Sequence, residues 1–262
     1  MARRKSASKL PPTEGFVRAV TLLRDRIENP NVFPYTLPVV RNLETLEFHP
    51  RVTFFVGENG SGKSTILEAI ALLLGFNAEG GAKSFSFSTR QSESDLHRAL
   101  RPIRGGRREQ RGFFLRAEST FNVASYIDDI GVTPYYGGTS LHEKSHGEAF
   151  LTLIDLKFRP DGLYLLDEPE AALSPGRQLR FLGYLHALAS QGRSQFIMAT
   201  HSPILLAYPD AHIYECTEQG LVKVQYEDTE HYRLTRDFLL HRDRFFRELF
   251  KEDPPERNDH GD

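Results

Sequence analysis

Nine residues, Gly57-Glu58-Asn59-Gly60-Ser61-Gly62-Lys63-Ser64-Thr65, satisfy the spacing G-x-x-x-x-G-K-[ST], which lets backbone N–H groups curl around phosphate oxygens. The glycines allow the loop to close tightly, and the first turn of a following helix then presents free N–H groups and a positive dipole end to an anion. Lys63 supplies a point charge suited to β and γ phosphates, and Ser64 a hydroxyl suited to Mg²⁺. A second chemical signal is the acidic pair Asp167-Glu168 at the end of Leu163-Tyr164-Leu165-Leu166. Asp167 suits Mg²⁺, directly or through water, and Glu168 can polarise a water that attacks a γ phosphate. Taken by itself the pair also reads as capping carboxylates between a strand and a helix.

These residues need elements to hold them. The apolar run Val52 to Val56 predicts a buried strand before the glycine loop, and Ile66, Leu67, Ile70, Leu73 and Leu74 recur at helical spacing after it. Strands are expected at Phe16–Val20, Leu43–Phe48, Phe113–Ala117, Leu163–Leu166 and Gln195–Ala199, and helices at Glu148–Phe158, Gln178–Ala189 and Thr229–Glu252. Ala211–Cys216 and Leu221–Tyr226 flank Glu218-Gln219-Gly220 and predict a hairpin. The alternation predicts an α/β fold with a mainly parallel central sheet, an N-terminal antiparallel β subdomain and an inserted arm, helical and arginine-rich, over about 76–147. One domain over 14–252 is expected, between a basic flexible tail at 1–13 and a polar one at 253–262.

Composition narrows the classes. A formal net charge of −2 excludes a global electrostatic pull toward nucleic acid or anionic membrane, so any such affinity must be local. The single cysteine, Cys216, excludes an intrachain disulfide framework and suits a reducing compartment. No apolar stretch approaches the length of a bilayer crossing, so the expectation is a cytoplasmic protein without membrane insertion.

GENGSGKST, LYLLDEPEAALSP and the ATHS run ending at Ser202, in that order, resemble the Walker A, Walker B with D-loop, and switch-histidine motifs of ABC-type P-loop ATPases. With GFNAEGG, FSTR, GFFLRAES, SHGEAF and ATHSPILLAYP, the resemblance extends over nearly the whole chain. It is to small soluble ATPases related to the heads of structural-maintenance-of-chromosomes (SMC) and double-strand-break repair proteins. It implies ATP and Mg²⁺ as ligands, with the nine loop residues from Gly57 to Thr65 around the phosphates and Ser64 and Asp167 at the metal. Glu168 is implied as the base, and His201 as a γ-phosphate contact. Ser145 and Gly147 resemble the ABC signature, which closes on nucleotide held by a second subunit, so an ATP-dependent homodimer is implied. Lys144, His146 and Glu148 depart from the usual L-S-G-G-Q, and Ser145-x-x-Glu148 is also an ordinary capping box. Ser174 replaces a common D-loop aspartate.

Glu118 occupies the position expected for the Q-loop glutamine and is a candidate metal-shell ligand, with Gln91 and Gln110 as alternatives in poorer frames. Phe33 and Tyr35 are candidates for stacking on adenine, or for core or loop packing. Eight arginines against three acids over 90–116 suit nucleic-acid phosphate, a protein partner or a solvated face. The function implied is an ATP hydrolase driving a mechanical or regulatory cycle. Alternatives are a nucleotide-gated module binding DNA or protein, and the detached ATPase subunit of a transporter.

Overall fold

The computed structural model describes residues 15–78, 80–82, 94–116 and 146–250. Among them, ten strands form two sheets. The smaller contains β1 (Val17–Leu22), β2 (Thr45–Glu47) and β5 (Leu100–Arg104) in the order β2-β1-β5, with β1 antiparallel to both neighbours. The larger takes the order β10-β9-β3-β8-β7-β6-β4, from β3 (Val52–Val56), β4 (Gly81–Ala82), β6 (Arg111–Arg116), β7 (Gly162–Asp167), β8 (Gln195–Ala199), β9 (His212–Thr217) and β10 (Gly220–Val224). Its five inner strands, from β6 to β9, run parallel, and β4 and β10 close the edges antiparallel.

The three central strands β3, β7 and β8 are buried at every residue, as expected of parallel strands covered on both faces. Period-two alternation divides their side chains between two cores. Phe54, Tyr164, Leu166, Phe196 and Met198 enter one, with α2 (His146–Lys157) and α3 (Pro175–Ala189) packed over them. Phe55, Leu163, Leu165, Ile197 and Ala199 enter the other, beneath α1 (Lys63–Leu73) and the small sheet. Removing a fully buried ring such as Phe55 costs about 3–5 kcal/mol. The buried Gln195 ties the sheets together: its Oε1 accepts from the Val17 N–H at 3.0 Å and its Nε2 donates to the Val17 carbonyl at 2.8 Å.

The last helix, α4 (Glu230–Leu249), is different in kind. Thr229 caps it by accepting from the Tyr232 N–H at 3.4 Å, Glu215 Oε1 accepts the Glu230 N–H at 3.0 Å, and none of its own residues is buried. Leu234, Leu239, Leu240, Leu249 and the following Phe250 are each more than half exposed, and the helix kinks at His241. No helix among the described residues is long and apolar enough to cross a membrane.

The structure moves several expected boundaries. Pro175 starts α3 three residues before the expected Gln178, as a first-turn proline whose missing N–H is not needed there. The expected arm over about 76–147 is not a separate excursion where it is described. β5 is an edge strand paired with β1, and β6 lies inside the main sheet between β7 and β4. Pro102 is tolerated in β5 because an edge strand need not donate on its open side.

Candidate nucleotide site

The glycine loop leaves the carboxyl end of β3 and enters α1 through Gly62, whose φ of +96° lies in the region that favours glycine. A methyl group there would lie 2.6 Å from Val39 Cγ2. Glu58, Asn59 and Gly60 are exposed, whereas Gly62 and Lys63 are buried, and Ser64 and Thr65 lie half-buried in the first turn of α1. Lys63 Nζ donates to the carbonyls of Gly57 at 2.8 Å and Glu58 at 2.9 Å, which fixes the ammonium inside the loop. Burial pushes Lys63 below the ordinary lysine range, while Cys216, Glu168, Asp167 and Glu58 act to restore the charged form. The Cys216 thiol behind the loop is itself pushed up to about 11, chiefly by burial, with Lys63 acting against the rise.

Ser64 Oγ donates to Asp167 Oδ1 at 2.9 Å, joining the start of α1 to the end of β7 across 103 positions of sequence. Two hard oxygens side by side suit Mg²⁺, which keeps waters and substrate phosphates as most of its shell. Among the described residues no group of three or more His, Cys, Asp or Glu side chains gathers into an all-protein metal cage. Arg116, at the end of β6, donates to Glu68 Oε2 at 2.7 Å and lies 3.6 Å from Asp167 Oδ2.

After Asp167 the backbone turns sharply: Glu168 has φ of +49°, a strained conformation for a residue with a side chain, and its N–H donates to the Ala199 carbonyl at 2.9 Å. This turn aims the Glu168 carboxylate at the end of β8, where Oε1 lies 3.4 Å from His201 Nε2. That nitrogen is buried and makes no hydrogen bond among the described residues. The other His201 nitrogen, Nδ1, lies 3.1 Å from His231 Nε2 on α4. Glu170 holds the two strand ends together by accepting from the Thr200 hydroxyl at 2.8 Å and from the His201 N–H. Gln178 extends the link, accepting from the Ser202 hydroxyl and donating to the Leu173 carbonyl at 3.0 Å.

Two family models match the chain. Residues 26–125 match one described as "AAA domain", and residues 136–207 match one described as "AAA domain, putative AbiEii toxin, Type IV TA system". The chain is thus similar to AAA domains in two segments, each under half of its length, the first holding the glycine loop and the second Asp167, Glu168 and His201. It is 37% identical over 101 residues to the DNA replication and repair protein RecF of two Leptospira interrogans strains, Fiocruz L1-130 and 56601. That stretch spans 37% of this chain but only 22% of the length of either relative. Among solved structures, the SMC head domain from Thermotoga maritima is similar at 19% identity, over 69% of this chain and 93% of that one, with a TM-score of 0.41. CbiO1 from Clostridium perfringens, part of the ABC transporter complex cbiONQ, is similar at 17% identity, over 90% and 99%, with a TM-score of 0.48.

Of the residues expected at an ABC-type site, Lys63, Ser64, Asp167, Glu168 and His201 meet at the carboxyl ends of β3, β7 and β8. Ser145 and Glu118 lie outside the described residues, as does the alternative Gln91, while Gln110 sits just before β6, at the end opposite Arg116. Gly147 is buried in the first turn of α2, and a methyl group there would lie 2.7 Å from the Ala172 carbonyl oxygen, so α2 packs closely on the segment that follows β7. Phe33 is 54% exposed, whereas Tyr35 packs against the core beside α1.

Arg116, Glu170 and His231 were not singled out as site residues by sequence. For Glu170 a signal existed in its place within Asp-Glu-Pro-Glu. Four of the arginines of 94–116 pair with carboxylates: Arg98 with Asp95 and Arg104 with Glu109 nearby in sequence, Arg107 with Asp161 and Arg116 with Glu68 far from it. Arg104 lies on β5 and Arg116 on β6, whereas Arg98 sits in a short helical turn before β5 and Arg107 in the connection between β5 and β6.

Proposed function

We propose that the protein hydrolyses ATP with Mg²⁺ and that two copies close head to tail around the nucleotide. The observation carrying this reading is the convergence of Lys63, Ser64, Asp167, Glu168 and His201 at the ends of three neighbouring strands. The loop N–H groups from Gly57 to Thr65 bind phosphate oxygens, and the Lys63 ammonium adds its charge to them. Ser64 and Asp167 would hold Mg²⁺, with Glu118 at its water shell, and the ion would supply charge neutralisation for the phosphates. Glu168 accepts a proton from the attacking water, and His201 Nε2 donates to the terminal phosphate. In the closed dimer, Ser145 and Gly147 of one copy cover the nucleotide bound at Lys63 of the other.

Glu168→Gln tests the chemistry and the assembly together. The variant should bind Mg-ATP yet lose turnover by about 100-fold or more, and should shift from monomer to dimer with Mg-ATP in light scattering. Ser145→Arg should abolish that dimer without weakening ATP binding, and mixing it with Lys63→Ala should restore partial activity through one composite site. A monomer whose turnover per chain is independent of concentration and indifferent to Ser145→Arg would sink the two-subunit mechanism.

A second reading, a nucleotide-gated binding module, is supported by the exposed apolar residues of α4. It predicts slow turnover by the isolated protein and acceleration only with a bound macromolecular partner.

A further inference from the structure

His231 stands outside the motifs, yet it is the neighbour of His201 on the side away from Glu168. The two rings lie with centroids 5.2 Å apart and planes at 46°, and Nε2 of His231 is 3.1 Å from Nδ1 of His201. The opposite nitrogen of His201, Nε2, faces the Glu168 carboxylate at 3.4 Å. A carboxylate only accepts, so a bare Nε2 would set lone pair against lone pair. The hydrogen of a neutral His201 therefore belongs on Nε2, which leaves Nδ1 as an acceptor in need of a donor.

His231 can be that donor. Its own Nδ1 is buried with no hydrogen-bond partner among the described residues, so a hydrogen placed there would be a buried donor without an acceptor. On Nε2 the same hydrogen makes a bond. Burial and the neighbouring His201 ring push His231 below the ordinary histidine range, with Lys63 acting the same way and Glu58 and Glu230 opposing. The ring thus carries one hydrogen, and its environment favours the nitrogen facing His201. Its anchorage is firm, because it follows directly on Thr229, which is fully buried and caps α4, and on Glu230, whose N–H is held by Glu215.

We propose that His231 is a positioning residue that donates from Nε2 to Nδ1 of His201, holding the switch histidine's hydrogen on Nε2, toward Glu168 and the terminal phosphate. This rests on the hydrolysis reading above for the role of His201. It adds a residue from α4 to a site otherwise built at strand ends.

The test combines imidazole ¹⁵N spectra of the full, ¹⁵N-histidine-labelled chain with kinetics. In the wild type, His201 should show the tautomer protonated at Nε2. His231→Phe should give a mixture of tautomers and lower kcat about 10-fold or more, with ATP affinity by calorimetry changed less than about twofold. His231→Gln, whose amide can donate to Nδ1, should restore kcat to within about threefold of wild type. Matching thermal melting of the two variants separates this from loss of fold. The inference is overturned if His201 carries its hydrogen on Nδ1, or if His231→Phe leaves both the His201 spectrum and kcat unchanged. It is likewise overturned if Phe and Gln lower kcat equally. His201→Ala provides the separate check on the underlying reading: full activity there removes His201 from hydrolysis, whatever the spectra report.

Discussion

Gly62→Ala isolates the shape of the phosphate loop from its charges. At φ of +96° an alanine pays a left-handed penalty of about 1–2 kcal/mol. Its methyl would also lie 2.6 Å from Val39 Cγ2 and 3.3 Å from Leu37 Cδ1. Val39 is 1% exposed and branched at Cβ, so it cannot swing aside, and overpacking of this kind adds about 1–3 kcal/mol. The expected loss is therefore about 2–5 kcal/mol in urea unfolding extrapolated to water. Gly60→Ala is the internal control, since φ is +79° there but nothing lies within 4 Å of the added methyl, which leaves only the first term of about 1–2 kcal/mol. A Gly62→Ala, Val39→Ala double variant should lose less stability than the sum of its single variants, by about 1–3 kcal/mol, because truncating Val39 makes room for the methyl. In calorimetry, ATP binding to Gly62→Ala should weaken by about 10-fold or more, as the N–H groups at the start of α1 move off their positions. Equal stability of the Gly60 and Gly62 variants, together with an additive double variant, would refute the packing argument.

Lys63→Ala should leave the fold intact, weaken ATP binding by at least about 10-fold in calorimetry and abolish turnover, since it removes the ammonium held on the Gly57 and Glu58 carbonyls. Glu170→Ala leaves the buried Thr200 hydroxyl and the His201 N–H without their acceptor, and should destabilise by about 2–4 kcal/mol in denaturant while lowering kcat more than ATP affinity. His49 predicts a pH effect on stability. Burial pushes it down to about 4, and its Nδ1 accepts from the N–H groups of Arg51 and Val52. Because the unfolded chain then binds more protons than the folded one from about pH 6.5 down to about 4, stability is full at pH 7 and is lost as pH falls through that window. The shift at face value corresponds to about 3 kcal/mol, which partial exposure reduces to about 1–2 kcal/mol. His49→Asn, which keeps an acceptor oxygen, should flatten this part of the stability profile when urea midpoints are compared between pH 7 and pH 4.5.

The elements that carry phosphate chemistry were legible because their signals are local. Val52 to Val56 is an unbroken apolar run, the loop glycines follow it, and Ile66, Leu67 and Ile70 repeat at helical spacing, so strand, loop and helix are each written in adjacent residues. The same holds for Asp167-Glu168 at the end of β7. β5 was hidden because Arg101, Pro102 and Arg104 break its apolar alternation, and only the register against β1 reveals it as a strand. Arg116 reads in sequence as one more member of a basic run. Its side chain is nevertheless only 17% exposed, paired with Glu68 and turned toward Asp167, partners 48 and 51 positions earlier and later in the chain. His231 has no local signal at all, since its significance comes from the packing of the first turn of α4 against the end of β8.

The rooting of α4 has a mechanical consequence. Among the described residues its attachments run from Thr229 to Arg233, all at one end, and no residue of the shaft beyond them is fully buried. A helix rises about 1.5 Å per residue, so the ten residues from His231 to the kink at His241 make a lever of about 15 Å. Tilting that lever by about 10° swings the kink through roughly 2.6 Å, several times the sub-ångström shift of the His231 ring needed to lengthen its contact with His201 beyond hydrogen-bonding reach. On the reading proposed above, a pull on the exposed Leu239 or Leu240 would be felt at His231 and through it at His201.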